Sequence, residues 1–321
     1  MIFAAAMFFA KKSIELEAPA KINLFLDVLG TRDDGYHDIL SALVPVSLCD
    51  KITMEMQDGG IEAAFECGDV DDMADLERMD SGRNLAVRAA EALKAKTGHE
   101  GGARITIKKN IPVGGGLGGG SGNAAAVLVG LNELWGTDLS KQDLMEVGSM
   151  IGCDVPAMTH GGAVIVEGTG EKVSSVNLQN GGADGWWLVL ANPGVAVSTK
   201  DIYSRYRPSL TSADGAFKNM VFSLETGDVS GASRALFNGL QSTVTRKYPL
   251  IGIMLSELDA AGAIGTLVSG SGATVFGLAR DAEHARGVEA EFKNRLDGAV
   301  WTRVAKTMPD GVMVAHGPLE A

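Results

Sequence analysis

The residues best suited to chemistry form one glycine-rich stretch in the first half of the chain, Pro112–Gly122. Six of the seven positions from Gly114 to Gly120 are glycine. Backbone without Cβ atoms can adopt positive φ angles and can approach a ligand closely. The following segment, Asn123–Trp135, is apolar on nearly all sides and predicts a buried helix. Because the N-terminus of a helix offers unpaired N–H groups, the stretch predicts a phosphate-binding loop.

Three other interpretations of this stretch compete. Gly114 to Gly119 matches the G-x-G-x-x-G pattern of a dinucleotide site, but that fold requires a second strand with an acidic residue roughly 20 residues on. The residues after Trp135 instead begin another helix, since Ser140 and Asp143 have the spacing of a capping box. A Walker A loop requires a lysine at its end, and none stands there. A flexible hinge without a ligand would bear the full entropic cost of ordering the glycines.

Three side chains elsewhere are candidates for catalysis or binding. Asp154 precedes the apolar turn Val155–Pro156, where a carboxylate either caps the turn or orients and deprotonates an attacking hydroxyl. Lys21 lies in the otherwise apolar segment Ala18–Leu26, from which it either extends to solvent or stabilises charge on a transferred group. His37 follows a polar loop, where a histidine is either solvated or available to a ligand.

Length and charge narrow the class of protein. At 321 residues, the chain has the length of two domains of roughly 100–200 residues each. Its formal net charge of -12 argues against a general binder of nucleic acid or of an anionic membrane. A small anionic ligand stays compatible with this charge, because a local nest of backbone N–H groups binds phosphate on an acidic protein as well.

Cysteine usage and the N-terminus bear on the compartment. The three cysteines, Cys49, Cys67 and Cys153, are widely spaced and form neither a disulfide framework nor a CxxC metal motif. A reducing cytoplasm is the expected compartment. The apolar stretch Ile2–Ala10 precedes its lysines, unlike a signal peptide, and is far shorter than the ~20 residues that cross a bilayer. We expect a frayed extension or the lead-in to a first strand.

Hydrophobic periodicity predicts a mixture of strands and helices. The predicted strands are Ile14–Ala18, Lys21–Val28, Lys51–Met56, Ala103–Lys109, Ala163–Glu167, Trp187–Ala191 and Ala273–Leu278. The predicted helices are Asn84–Lys96, Asn123–Trp135, Ser140–Ile151, a segment around Tyr203, Gly231–Leu240, Ile251–Ala261 and Glu283–Leu296. Without regular βαβ alternation, the pattern favours an α+β fold. The polar, Gly-rich segment Asn180–Gly185 predicts a boundary between domains at residues 1–180 and 181–321.

Three segments together resemble the GHMP kinases, the superfamily of galactokinase, homoserine kinase and mevalonate kinase. Pro112–Ser121 resembles its phosphate loop, Ala18–Leu24 its first motif, and Ser269–Phe276 its third motif, a glycine turn that backs the loop. The resemblance implies a ribosomal S5-like N-terminal domain and a ferredoxin-like C-terminal domain with the active site between them. It also implies a kinase that uses ATP.

Four segments narrow the resemblance to the GHMP kinases that act on a cytidylyl methylerythritol, a small-molecule substrate. They are Lys21–Leu26, Asp34–His37, Gly114–Ala126 and Gly152–Pro156. The implied reaction is phosphorylation of the 2-hydroxyl group in the non-mevalonate isoprenoid precursor pathway. Mg²⁺ is expected with ATP, and Ser121 is a candidate ligand, because the sequence shows no dedicated carboxylate cage and Mg²⁺ takes few protein ligands.

The resemblance also implies the role of each site residue. The catalytic pair is Lys21 and Asp154. The ATP site comprises Pro112, Val113, Gly114, Gly115, Gly116, Leu117, Gly118, Gly119, Gly120, Ser121 and Gly122, with Asn84 on the adenine side. The substrate contacts are Asn23, Tyr36, His37 and Tyr203, with Tyr203 flanking the cytosine.

Two positions depart from the pattern, and two alternative functions stay open. Gly122 stands where the family has a second serine, and Leu43 where some members have another aromatic residue near the cytosine. A homoserine or mevalonate-pathway kinase is one alternative, against which Asp34–His37 argues. A non-catalytic ligand sensor is the other, although a sensor has no chemical need of Lys21 together with Asp154.

Overall fold

The computed structural model describes residues 13–69, 84–178, 185–207, 213–298 and 300–314. The apolar stretch Ile2–Ala10 lies outside these residues, as does nearly all of Asn180–Gly185, so the domain boundary stays a prediction. No helix in the described part is long and apolar enough to cross a membrane.

The described strands and helices alternate irregularly along the chain. The strands are β1 (Ser13–Thr31), β2 (His37–Gln57), β3 (Ile61–Cys67), β4 (Gly102–Lys109), β5 (Val164–Gly168), β6 (Lys172–Ser175), β7 (Trp187–Asn192), β8 (Phe237–Asn238), β9 (Gly265–Val268), β10 (Val275–Ala279), β11 (Trp301–Lys306) and β12 (Met313–Val314). The helices are α1 (Leu85–Thr97), α2 (Gly119–Leu134), α3 (Lys141–Ser149), α4 (Val155–His160), α5 (Thr199–Arg205), α6 (Asp214–Thr226), α7 (Val229–Ala235), α8 (Gln241–Lys247), α9 (Pro249–Ala260) and α10 (Ala282–Arg295).

The larger sheet is built around one long antiparallel pair, β1 and β2. Its main path runs β12-β1-β2-β4-β3, with β5 and β6 continuing from β2 and β8 lying parallel to β1. The sequence predicts one strand before Pro19 and a second strand after it. The structure instead has a single strand, β1, with a register shift between Pro19 and Ala20. Proline lacks a backbone N–H group, and an irregularity at this point lets the strand continue through it.

The second sheet has the order β11-β7-β10-β9, and all its pairs are antiparallel. Numbered along the chain, its strands lie in the order fourth, first, third, second, with α9 and α10 packed on the sheet. This is the arrangement of a split βαβ, or ferredoxin-like, fold. The prediction for the second half is confirmed.

Two local predictions are wrong. The predicted helix Gly231–Leu240 ends at Ala235, because Leu236 turns to an extended backbone and Phe237–Asn238 pairs with β1. The Asn238 side chain holds this strand by donating to the backbone oxygens of Val268 and Gly270, both at 2.8 Å. The predicted turn Val155–Pro156 is the first turn of α4. Proline is tolerated there because the N–H groups of the first turn have no acceptor within the helix.

Candidate active site

The glycine loop feeds directly into α2. This helix begins at Gly119, four residues before the predicted Asn123, because the last glycines already follow the helical path. The backbone N–H of Gly122 donates to Gly118 oxygen at 2.8 Å, and Gly118 has a φ of 69°. The first N–H groups of such a helix have no partner within it, so they are available to an anion.

The glycine turn of the third motif, Ser269–Phe276, packs against the glycine loop, as the resemblance implies. Ser269 Oγ donates to Gly116 oxygen at 3.0 Å, and the Thr274 N–H donates to Gly115 oxygen at 2.9 Å. A Cβ atom on Gly116 would lie 2.3 Å from Ser269 oxygen, so no larger residue fits there. The loop is therefore held from behind, with little freedom to act as a hinge.

Lys21 is buried and points to the site instead of to solvent. Its side chain is 5% exposed, and Nζ lies 3.3 Å from Asp154 Oδ2. Nζ also donates to Asn23 Oδ1 at 2.7 Å, while Asn23 Nδ2 donates to Ser41 Oγ at 2.8 Å. The backbone N–H of Lys21 donates to Leu117 oxygen at 2.9 Å, which ties β1 to the glycine loop. These bonds fix the ammonium group beside the loop.

Asp154 has a carboxylate available to a ligand. It stands at the N-terminal end of α4, but its side chain makes no capping hydrogen bond, which removes the capping interpretation. The side chain is 37% exposed, and its ion pair is with Lys21. An exposed carboxylate oriented by a lysine can accept the proton of an attacking hydroxyl.

Nearly all predicted site residues line a single cavity of about 1080 Å³. From the predicted set it includes Lys21, Asn23, Tyr36, His37, Asn84, Pro112, Val113, Gly114, Gly115, Gly116, Leu117, Gly118, Gly119, Gly120, Ser121, Asp154 and Tyr203. Gly122 is buried behind this surface, where a Cβ atom would lie 3.0 Å from Pro19 oxygen. Leu43 packs in the core of the larger sheet and takes no part in the cavity wall.

Another part of the cavity wall, which we call its aromatic end, is formed by Tyr36, His37 and Tyr203. The His37 ring lies 5.1 Å from the Tyr203 ring at 51° and 6.5 Å from the Tyr206 ring at 85°. Tyr36 is 58% exposed at the rim, where its N–H donates to Asp34 Oδ1 at 3.0 Å. Burial, reinforced by the charge of Asp154, raises the pKa of the Tyr203 phenol, which therefore stays neutral.

Sequence reasoning missed a second lysine–aspartate pair beneath the loop. Lys109 Nζ donates to Asp50 Oδ2, and the side chains are 1% and 0% exposed. The alternation that predicts β4 carried the signal, because Lys109 shares the inward face with Ile105 and Ile107. A lysine on that face requires a buried anion.

Two asparagines at the cavity wall differ in how their amides are used. Asn84 caps α1, since its Oδ1 accepts from the Ala86 N–H at 2.9 Å, and its NH₂ group is a donor that the cap does not use. Asn123, which the sequence did not mark as a site residue, is 2% exposed, and neither end of its amide has a partner in the described residues. Buried amides are normally hydrogen-bonded, which makes Asn123 a further candidate for contact with a bound molecule.

The chain matches known proteins along most of its length. The family model described as GHMP kinases N terminal domain matches residues 84–162, and GHMP kinases C terminal matches residues 220–298. A 4-diphosphocytidyl-2-C-methyl-D-erythritol kinase of Geobacter metallireducens is 42% identical over 89% of this chain and 96% of its own length. One of the same name from Pelotomaculum thermopropionicum is 39% identical, with the same coverage.

Solved structures agree with the family matches. A 4-(cytidine 5'-diphospho)-2C-methyl-D-erythritol kinase superposes with a TM-score of 0.73 at 30% identity, over 92% of this chain and 99% of that one. A homoserine kinase from Cytophaga hutchinsonii gives a TM-score of 0.74 at 21% identity, over 98% and 100% of the two chains. The second likeness shows the fold alone.

The two-domain α+β fold and the glycine loop define the class of protein: it is a GHMP kinase, an ATP-dependent phosphotransferase. Relatives at about 40% identity cover nearly all of its length. The chain therefore belongs to the family of 4-diphosphocytidyl-2-C-methyl-D-erythritol kinases. The predicted superfamily and fold are confirmed.

Proposed function

We propose that this chain transfers the terminal phosphoryl group of ATP to the 2-hydroxyl of 4-diphosphocytidyl-2-C-methyl-D-erythritol, in the non-mevalonate isoprenoid precursor pathway. The observation that carries the proposal is one cavity with a phosphate-type loop, the Lys21–Asp154 pair and an aromatic end around His37 and Tyr203. The acceptor is taken from the names of the relatives.

The residues of the loop fit the phosphates of a nucleotide. We assign this role to Pro112–Gly122, whose glycines leave the backbone bare toward the cavity. When bound, ATP supplies the phosphoryl group, and the loop's N–H groups offset its negative charge. Asn84 lies on the same wall and offers its NH₂ group to the adenine side.

Asp154 and Lys21 carry the chemistry in this proposal. Asp154 orients the acceptor hydroxyl and takes its proton as the oxygen attacks. Lys21 keeps Asp154 ionised by its charge and stabilises the charge that develops on the transferred group. Asn23 holds the Lys21 ammonium in place at 2.7 Å and contacts the acceptor.

The aromatic end of the cavity recognises the cytidine. We assign the stacking contact to the rings of Tyr203 and Tyr36 and a polar contact to His37, since all three line the cavity. Stacking of a base on an aromatic ring contributes about 1–3 kcal/mol. Such a gain explains why an acceptor would be recognised at a point remote from its reacting hydroxyl.

We further propose Mg²⁺ as the companion of ATP. No group of three or more His, Cys, Asp or Glu side chains in the described ranges is arranged to hold a metal ion. Mg²⁺ keeps several waters and binds substrate phosphates, so one protein ligand suffices, and Ser121 at the cavity wall is the candidate.

The domain assignment and the compartment belong to the same proposal. We place the ATP-binding N-terminal domain at residues 1–180 and the C-terminal domain at residues 181–321. Cys49, Cys67 and Cys153 form no disulfide within the described residues, which fits the proposed reducing cytoplasm.

An acceptor panel tests the proposal. Purified enzyme with ATP and Mg²⁺ is given the cytidylyl methylerythritol, methylerythritol 4-phosphate, homoserine and mevalonate, and release of ADP is measured. We expect rapid turnover of the first acceptor and very poor turnover of the others. Equal efficiency on the first two acceptors would remove the cytidine contact from the proposal. Preference for homoserine or mevalonate would support the alternative kinase. No turnover of any acceptor would support the ligand sensor.

A further inference from the structure

Helix α5 turns one face to the cavity. The residues of that face follow the spacing i, i+1, i+4 and i+5, which lies on one side of a helix. They are Thr199, Lys200, Tyr203 and Ser204. On the other side, Ile202 is buried in the core, and Asp201 bonds Arg205 at 3.0 Å and Lys247. Lys200 therefore stands on the side of α5 that lines the cavity, and the carboxylate of the neighbouring Asp201 is bound to other cations.

The helix runs from the reaction centre toward the aromatic end. At its start, Thr199 Oγ1 lies 2.9 Å from Ser271 Oγ, and the adjacent Gly270 is so close to the catalytic lysine that an added Cβ would lie 3.4 Å from Lys21 Nζ. One turn later, Tyr203 contacts the His37 ring. Lys200 lies between these two points of the cavity wall.

Lys200 also differs from the other lysines of the cavity wall in its charge environment. Three lysines line the cavity: Lys21, Lys109 and Lys200. The first pairs with Asp154 and the second with Asp50. Within the described ranges, no carboxylate forms an ion pair with Lys200. The two carboxylates of the cavity wall are Asp154, paired with Lys21, and Asp34, which lies 3.5 Å from the Arg32 guanidinium.

We propose that Lys200 binds the diphosphate of the acceptor, an inference that rests on the proposed function. The acceptor has a diphosphate between its methylerythritol and its cytidine. With the first at Lys21–Asp154 and the second at Tyr203, the diphosphate lies where Lys200 stands. An ammonium group on a flexible stem binds phosphate as a point charge and adapts to either phosphoryl unit. Lys200 is thus a specificity residue for a nucleoside diphosphate.

Steady-state kinetics of Lys200→Ala, Lys200→Arg and Lys218→Ala test this inference. Lys218 is a matched control, because it is exposed on α6 and lies outside the cavity wall. We expect Lys200→Ala to raise KM for the cytidylyl acceptor on the order of 10-fold, with KM for ATP unchanged. Lys200→Arg should restore most of the affinity, and Lys218→Ala should match wild type.

Binding of cytidine diphosphate and of cytidine separates the charge from the stacking. Wild type should bind the diphosphate more tightly, and the difference should shrink both in Lys200→Ala and at high salt, which screens an exposed charge. An unchanged acceptor KM in Lys200→Ala, or equal binding of the two probes by wild type, would overturn the inference. Either of these two results would leave the proposed function standing, provided that wild type turns over the cytidylyl acceptor. Absence of that turnover in wild type would overturn the proposed function itself.

Discussion

Two lysine–aspartate pairs lie on either side of the glycine loop, and they differ in what surrounds the carboxylate. Asp154, paired with Lys21, is 37% exposed, and Lys21 is its ion-pair partner. Asp50, paired with Lys109, is wholly buried. Asp50 Oδ1 also accepts from the N–H groups of Asn110 at 2.7 Å and of Ile111 at 2.9 Å.

The difference teaches which pair can do chemistry. A carboxylate that already accepts three hydrogen bonds in a buried place has little capacity left for a ligand. A carboxylate held by one ammonium and open to a cavity can still accept a proton. Asp50 and Lys109 therefore fix the chain just before the glycine loop, whereas Lys21 and Asp154 form the pair that we propose to act on the acceptor.

The largest expected effect comes from Asp154→Asn. Removing the proton acceptor should lower kcat on the order of 10²–10⁴-fold, while binding of both substrates and the unfolding curve stay close to wild type. Steady-state kinetics and urea unfolding of the same preparation measure both quantities. Lys21→Ala should also be poorly active. Near wild-type turnover in both variants would exclude this pair from catalysis.

Breaking the buried pair should act on stability. Lys109→Met leaves Asp50 charged and buried without its cation, and such a loss costs about 3–5 kcal/mol of the free energy of unfolding. Urea unfolding followed by tryptophan fluorescence measures it. The double variant Asp50→Leu/Lys109→Met removes both charges and should recover part of the loss. A stable Lys109→Met protein with full activity would contradict the distinction between the pairs.

Tyr203→Ala sharpens the comparison, because Tyr203 faces the cavity of the exposed pair. Loss of a stacking face of about 1–3 kcal/mol should raise KM for the cytidylyl acceptor roughly 5- to 150-fold. KM for ATP should stay unchanged. Tyr248→Ala, on a tyrosine outside the cavity wall, is the control for loss of an aromatic ring. An equal rise in both Michaelis constants would point to a distorted cavity instead of a lost contact.

The smallest effects separate two neighbouring glycines. A Cβ on Gly118 would lie 2.8 Å from Lys21 Cγ, whereas a Cβ on Gly119 would lie 3.2 Å from Lys109 Nζ and 3.1 Å from Ile111 Cγ2. Gly118→Ala displaces Lys21, the lysine that we propose to be catalytic, and also strains a left-handed residue by about 1–2 kcal/mol. Gly119→Ala presses on the buried pair.

We expect Gly118→Ala to lower kcat more than Gly119→Ala does. Gly119→Ala should mainly shift the unfolding midpoint, by the equivalent of about 1 kcal/mol, because overpacking a full core is destabilising. Kinetics and thermal unfolding of the two variants side by side provide the measurement. Equal effects of the two substitutions on kcat would contradict the distinction between the Lys21 side and the Lys109 side of the loop.

Local sequence pattern predicted much of what surrounds the site. The glycine loop, the apolar helix after it and the motif around Lys21 are properties of consecutive residues, and the structure has each of them in place. The alternation of apolar and polar residues in β4 places Lys109 on its inward face, although the sequence did not show that its partner is Asp50. Residue spacing determines which side of an element a residue occupies.

Only the tertiary structure decided which residues meet across the chain. Both pairs join residues far apart in the sequence, and their meeting depends on the register of β1, β2 and β4 and on the placement of α4. The short strand Phe237–Asn238 exists because β1 offers it backbone partners, which is why helical periodicity misjudged it. The two pairs differ because Asp154 remains partly exposed whereas Asp50 is buried. Burial is a property of the packed chain and of no single segment.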